Sequence, residues 1–201
     1  METISSNRPK IVVIGSCNTD MVVKANRLPV PGETILGGTF YMNPGGKGAN
    51  QAIAAARLGA EVTFISKIGY DLFGLQALEI YRSEKINTEF IFTDQKSPSG
   101  VALISVDSFG ENSIIVAPGA SRSLSTEDIN KAEEKIKEAD IILMQLEVPI
   151  DTVEYAATIA NRYGKKVILN PAPASTLSNS FLNNVPVSYT HLRAHETSQD
   201  L

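Results

Sequence analysis

Four short stretches of this sequence carry residue types that could grip a ligand rich in hydroxyl groups. They are Gly15-Ser-Cys-Asn18-Thr-Asp20, Pro31-Gly-Glu-Thr34, Gly45-Gly-Lys-Gly-Ala-Asn50-Gln-Ala and Gln145-Leu-Glu147-Val-Pro. Asn18 and Asp20 are two residues apart, so an extended backbone puts both side chains on one face. A carboxylate can accept hydrogen bonds from two neighbouring hydroxyls, and an amide can both donate and accept. Taken alone, the pair reads as a solvated turn. The glycine run is neither a P-loop, because Gly48 follows Lys47, nor a dinucleotide fingerprint, because Gln51 stands where the last glycine is required. Its physical content is close backbone approach to a ligand at a helix start, with Lys47 and Asn50 adding polar side chains. The two histidines, His191 and His195, lie near the end of the chain. Everything upstream must work with carboxylates, amides, lysine cations and backbone dipoles, which argues against a Ser-His-Asp triad or a histidine-rich metal site.

These stretches need elements to hold them, and the hydrophobic pattern supplies candidates. Lys10-Ile-Val-Val-Ile-Gly15 reads as a strand buried on both faces. Residues 21–44, punctuated by Pro and Gly, read as short strands of a small antiparallel flap, which a hairpin over 100–106 and 112–117 completes. The Ala-rich stretch Gly48 to Leu58, stopped by Gly59, reads as a helix opening on the glycine run. Next come a strand at 61–68, a helix near 71–83 and a strand near 88–93. A capping box at Ser125-Thr-Glu-Asp128 starts a charged helix to about Ala139, before a strand at 140–147, a helix at 149–163 and a strand at 166–170. Such alternation implies parallel pairing with helices on the sheet faces. Each polar stretch then follows a strand or opens a helix, where open α/β sheets bind ligands.

Composition narrows the partners. A chain of 201 residues with 43% hydrophobic content can bury a core, and a net charge of −4 gives no basic footprint for nucleic acid. The polar start METISSNRPK, and the lack of any apolar run long enough to span a bilayer, predict no membrane partner and a cytoplasmic location. The single cysteine, Cys17, reads as a small buried hydrophobe.

Together these residues resemble the ribokinase branch of the carbohydrate kinase (pfkB-type) family, from Lys10 to about Ala174. The spelling Gly-Gly-Lys-Gly-Ala-Asn-Gln-Ala is more similar to ribokinases than to fructokinases, adenosine kinases or phosphofructokinase-type relatives. Val101-Ala-Leu-Ile104 and Asn170-Pro-Ala-Pro-Ala174 carry the same likeness. The resemblance implies an α/β fold with a Rossmann-like, mostly parallel sheet and a small β-flap lid. It implies ATP-dependent phosphorylation of D-ribose at its 5-hydroxyl to ribose 5-phosphate, with Mg2+ and K+ as cofactors and a homodimer clasped through the lid. Carried over by position, it assigns sugar binding to Asn18, Asp20, Gly46, Lys47, Gly48, Ala49, Asn50 and Glu147. A kinase of the same fold for another sugar or a nucleoside, or a non-catalytic sugar-binding fragment, are the alternatives.

The likeness breaks near the end. Ribokinases continue into a segment containing Asn-Glu and a later Gly-Ala-Gly-Asp motif, whose aspartate the resemblance makes the catalytic base and whose amides form an anion cradle. Neither occurs among these residues, so no catalytic or metal residue is assigned here. The expectation is that residues 1–185 are the sugar-binding part of a kinase domain whose C-terminal part is missing. The run 186–201 resembles translated adapter read-through and is expected to be non-native; as the alternative, His191, His195 and Glu196 there could hold a metal. Without base and cradle, the chain as given is expected to be marginally stable and inactive in transfer.

Overall fold

The computed structural model describes residues 8–188. In chain order the elements are β1 (Lys10–Ile14), β2 (Asn18–Lys24), β3 (Thr39–Gly45), α1 (Lys47–Arg57), β4 (Glu61–Gly69), α2 (Leu72–Ser83) and β5 (Ile91–Asp94). A hairpin of β6 (Gly100–Val106) and β7 (Asn112–Ala117) follows, then a 3-10 turn (Gly119–Ser123), α3 (Thr126–Lys131) and α4 (Glu133–Glu138). The remainder is β8 (Ile141–Gln145), α5 (Ile150–Arg162), β9 (Lys166–Asn170), α6 (Asn179–Asn183) and β10 (Val187–Ser188).

Six strands form a parallel sheet in the order β10-β9-β8-β1-β4-β5. The apolar run of β1 is continuous because both of its faces are covered. Val12 and Ile14 join Ile65, Ile142, Met144 and Leu169 under α3, α4, α5 and α6. Val13 turns the other way, to Phe64, Ala49, Ala52 and Tyr81 under α1 and α2. The two-residue period of a strand thus serves two cores at once. Side chains such as Ile14 and Phe64 are fully buried, and each burial contributes roughly 1.5–3 kcal/mol.

The second sheet is four-stranded, in the order β3-β2-β6-β7. In it β2 pairs antiparallel with β3 and parallel with β6, so two distant segments are stitched through one strand. Asn18 is in register with both Gly45 and Gly100, which ties the root of this flap to the C-terminal end of β1.

Several boundaries differ from the sequence expectation, for physical reasons. Strand β2 begins at Asn18 rather than near Met21, because it is paired on both sides from that residue on. Helix α1 begins at Lys47 rather than Gly48, with Gly46 as its N-cap. The capping box forms, with the Ser125 hydroxyl accepting from the Asp128 amide and the Asp128 carboxylate accepting from the Ser125 amide. The charged helix it opens is nevertheless split at Ala132, and neither Gly nor Pro marks the break in the sequence. Strand β5 starts only at Ile91, Asn87 making an isolated bridge to Thr63. Val187 and Ser188, placed in the tail by the sequence reading, pair with β9; His191, His195 and Glu196 lie outside the described residues. Among the described residues no helix is long and apolar enough to cross a membrane.

Candidate functional site

The chain runs outward from β1 through β4 to β5, then returns to build β8, β9 and β10 on the other side of β1. The order therefore reverses between β1 and β8, and in open α/β sheets the crevice beyond the carboxyl ends at such a point is where ligands bind. Gly15 and Ser16 leave β1 there, and Leu146 and Glu147 leave β8 beside them. The N-terminus of α1 points at the same place.

Glu147 is the hub. Its Oε2 accepts from the Lys47 amide at 2.9 Å and from the Ser16 hydroxyl, and its Oε1 accepts from Lys47 Nζ at 2.5 Å. A carboxylate at the first turn of α1 meets unpaired amides and the positive end of the helix dipole. Burial pushes the Glu147 carboxyl up, but the Lys47 ammonium, the Ser16 hydroxyl and the Lys47 amide outweigh it and hold the group below its ordinary value. Glu147 is thus an anion locked in place, its bonds to this chain already numerous.

The glycines allow this approach. A Cβ on Gly48 would lie 2.7 Å from the Gly15 carbonyl carbon and from Ser16 O, so α1 could not rest on the β1 turn. Gly46 has φ of +89°, and a Cβ there would lie 2.9 Å from Cys17 Cα and 3.0 Å from the Asn18 amide nitrogen. The Ala49 amide donates to Ser16 O at 3.0 Å and the Asn50 amide to Gly46 O at 2.9 Å. The backbone of the run is therefore committed to packing, with Ala49 fully buried and the Asn50 side chain exposed.

Asn18 and Asp20 stand on the flap side of this junction. Asn18 is buried, and its Oδ1 has no partner among the described residues. Asp20 is half-buried; desolvation first and Glu147 second push its carboxyl above the ordinary range, with Lys47 opposing. Beneath the glycine run the fully buried Gln145 donates from Nε2 to Gln51 Oε1, while its own Oε1 is unpartnered.

A cavity of about 370 Å³ opens over the junction, lined by the polar Ser16, Asn18, Lys47, Glu147 and Arg122 and by the apolar Val116, Pro118, Leu146 and Pro173. Of the residues singled out in the sequence, Asn18, Lys47 and Glu147 line it. Asp20 lies near enough to feel the charges of Lys47 and Glu147. Gly46, Gly48 and Ala49 shape the approach through backbone, and Asn50 lies on the next residue of the same turn. Sequence reasoning did not single out Ser16 or Arg122. Ser16 sits inside the stretch that ends at Asp20, where its neighbours drew the attention; Arg122 carries no motif at all. Among the described residues no group of three or more His, Cys, Asp or Glu side chains gathers to hold a metal ion.

This geometry meets known proteins directly. The family model described as pfkB family carbohydrate kinase matches residues 8–190. A ribokinase of Haemophilus influenzae is 44% identical over 180 residues, covering 90% of this chain and 59% of the relative. A deoxyribokinase of Salmonella typhi is 42% identical over 164 residues, covering 82% of this chain and 54% of the relative. The solved structure of Arabidopsis thaliana ribokinase complexed with ribose and ATP superposes with a TM-score of 0.78 at 31% identity, covering 91% of this chain and 60% of that one. The chain thus spans less than two thirds of the relatives it matches. With a switch-point site, a glycine-opened helix and a flap rooted at Asn18, the chain belongs to the pfkB family of carbohydrate kinases.

Proposed function

We propose that this chain supplies the sugar-binding side of a ribokinase, which phosphorylates D-ribose at its 5-hydroxyl at the expense of ATP. The observation that carries this reading is the fixed anion of Glu147 beside Lys47, Asn18 and Asp20 at the switch point. A polyol needs acceptors whose positions do not depend on the ligand, and a carboxylate already tied by Ser16 and Lys47 provides one without further ordering cost. The unpartnered Asn18 Oδ1 is a second acceptor, buried and ready for a hydroxyl. Asp20 is the main orienting carboxylate in this reading, with Gly46, Lys47, Gly48, Ala49 and Asn50 closing the sugar from the helix side. ATP with Mg2+ and K+ belongs to the whole enzyme in this reading; the described residues form no group of His, Cys, Asp and Glu able to hold a metal ion.

The test is binding of ribose to the 201-residue chain by calorimetry, beside 2-deoxyribose and fructose. Ribose binding strongest of the three supports the reading. Preference for 2-deoxyribose would move the assignment to a deoxyribokinase, and no binding of any pentose would overturn it.

The flap of residues 18–45 and 100–117 acts as a lid and pairs with a second copy. Phe40, Leu103 and Ile115 are 59%, 53% and 70% exposed on one face of a small four-stranded sheet, an apolar surface that asks for cover. Light scattering at micromolar concentration is expected to show a dimer, and Ile115→Lys to shift it to monomer; a strict monomer in the parent chain would refute the pairing.

A further inference from the structure

One cation of the cavity has no counter-charge. Lys47 is matched by Glu147, ammonium to carboxylate, at 2.5 Å. Arg122, exposed on the 3-10 turn that follows the hairpin, lines the same cavity, and among the described residues its side chain makes no hydrogen bond and no ion pair. Acidic groups of this cavity and of the segments flanking the turn are already paired: Glu147 with Lys47 and Ser16, Asp128 with Lys67 and the Ser125 amide, and Asp94 with the Ser123 hydroxyl and loop amides. Asp20 feels Lys47 and Glu147 but does not line the cavity. A neutral sugar gives a guanidinium nothing to neutralise. A phosphate group does, and the planar fork of arginine suits its oxygens.

We propose that Arg122 forms a phosphate subsite in this cavity, adjoining the sugar-binding residues, so that the site holds a sugar phosphate more tightly than the free sugar. The inference rests on the sugar-binding reading for its neighbour, the sugar subsite, but not for the phosphate itself. In a phosphoryl-transferring protein the group occupying this subsite is either the phosphate of the product ester or the phosphoryl group arriving from the nucleotide. Both present the same oxygens to Arg122.

The experiment titrates the 201-residue chain with ribose, ribose 5-phosphate, inorganic phosphate and ATP, in the parent chain and in Arg122→Ala and Arg122→Lys. Ribose 5-phosphate is expected to bind about tenfold more tightly than ribose, and Arg122→Ala to remove that advantage while leaving ribose affinity unchanged. Arg122→Lys keeps part of it, because the charge remains and the fork is lost. Added salt weakens the ester and not the free sugar. An Arg122-dependent gain for ATP, with none for the ester, assigns the subsite to the incoming phosphoryl group. Ribose binding with affinities for both the ester and ATP identical in parent and Arg122→Ala overturns the inference and spares the sugar reading. Arg122-dependent binding of inorganic phosphate without any ribose binding does the reverse, and absence of both removes the two together. Circular dichroism of each variant identifies any loss that comes from unfolding, in which case Arg122→Lys carries the comparison.

Discussion

Replacing Glu147 with Ala is expected to weaken ribose binding by about a hundredfold, the larger of the two main effects foreseen at this site. Three donors converge on that carboxylate: Ser16 Oγ, the Lys47 amide and Lys47 Nζ. Deleting it leaves an unpaired hydroxyl and an unpaired amide at a helix start, and strands the ammonium. Breaking a buried pair by removing one partner costs about 3–5 kcal/mol, but the Lys47 side chain is 39% exposed and can turn to water. The stability loss is therefore discounted toward the lower end, about 2–3 kcal/mol, while the hundredfold loss of affinity, about 2.7 kcal/mol, comes from the missing charged acceptor and from Lys47 no longer being held in place. Glu147→Gln separates charge from shape: it can still accept from Ser16, yet cannot neutralise Lys47. Calorimetry with ribose on both variants checks this, and wild-type affinity in Glu147→Ala would remove Glu147 from the site. The pH dependence has a definite sign. The Glu147 carboxyl sits below its ordinary value of 4.5 in the fold, so its stabilisation is present above that value and is lost only as pH falls through the lower folded value.

The parts of this site that were legible in the sequence are those where one residue type answers one physical demand. Gly48 is readable because only hydrogen fits where α1 crosses the Gly15–Ser16 turn. Glu147 is readable because it follows a buried strand in an α/β pattern, where a charge has few structural uses. The alternation that placed β1, β4, β8 and β9 in one parallel sheet was readable for the same reason, since both faces had to be apolar. Ser16 was not, because a serine in the short link between two strands serves many ends, and its bond to Glu147 joins segments far apart in the chain. Arg122 depends on where the hairpin β6–β7 delivers the turn after it, a matter of flap geometry with no trace in local periodicity. The break at Ala132 escaped for another reason: the helical charge pattern continues through it without a breaker residue.

Asp20 presents the opposite electrostatic case to Glu147, and its replacement is expected to move stability and binding in opposite directions. Desolvation and the nearby Glu147 charge hold its carboxyl above the ordinary value of 3.8, with Lys47 giving only partial relief. For an acid raised in the fold, the favourable contribution is complete at low pH and is lost as pH rises through the folded value, so at neutral pH the ionised Asp20 is a cost to the empty protein. Ligand hydroxyls that donate to it would offset that cost, which is how a strained charge favours the bound state over the free one. Asp20→Asn keeps the shape and removes the charge. Near neutral pH it is expected to raise the melting temperature of the ligand-free chain by a few degrees, a shift of about 1 kcal/mol for a domain of this size, and to weaken ribose binding by about tenfold or more. The stability gain should shrink as pH falls through the raised folded value of Asp20. Ribose affinity of the parent should fall over that same interval. Thermal melts with and without ribose at pH 7 and pH 4.5 measure both quantities in one series. A variant less stable than the parent at pH 7, with unchanged ribose affinity, would show that Asp20 is a structural residue of the flap and not the carboxylate that orients the sugar.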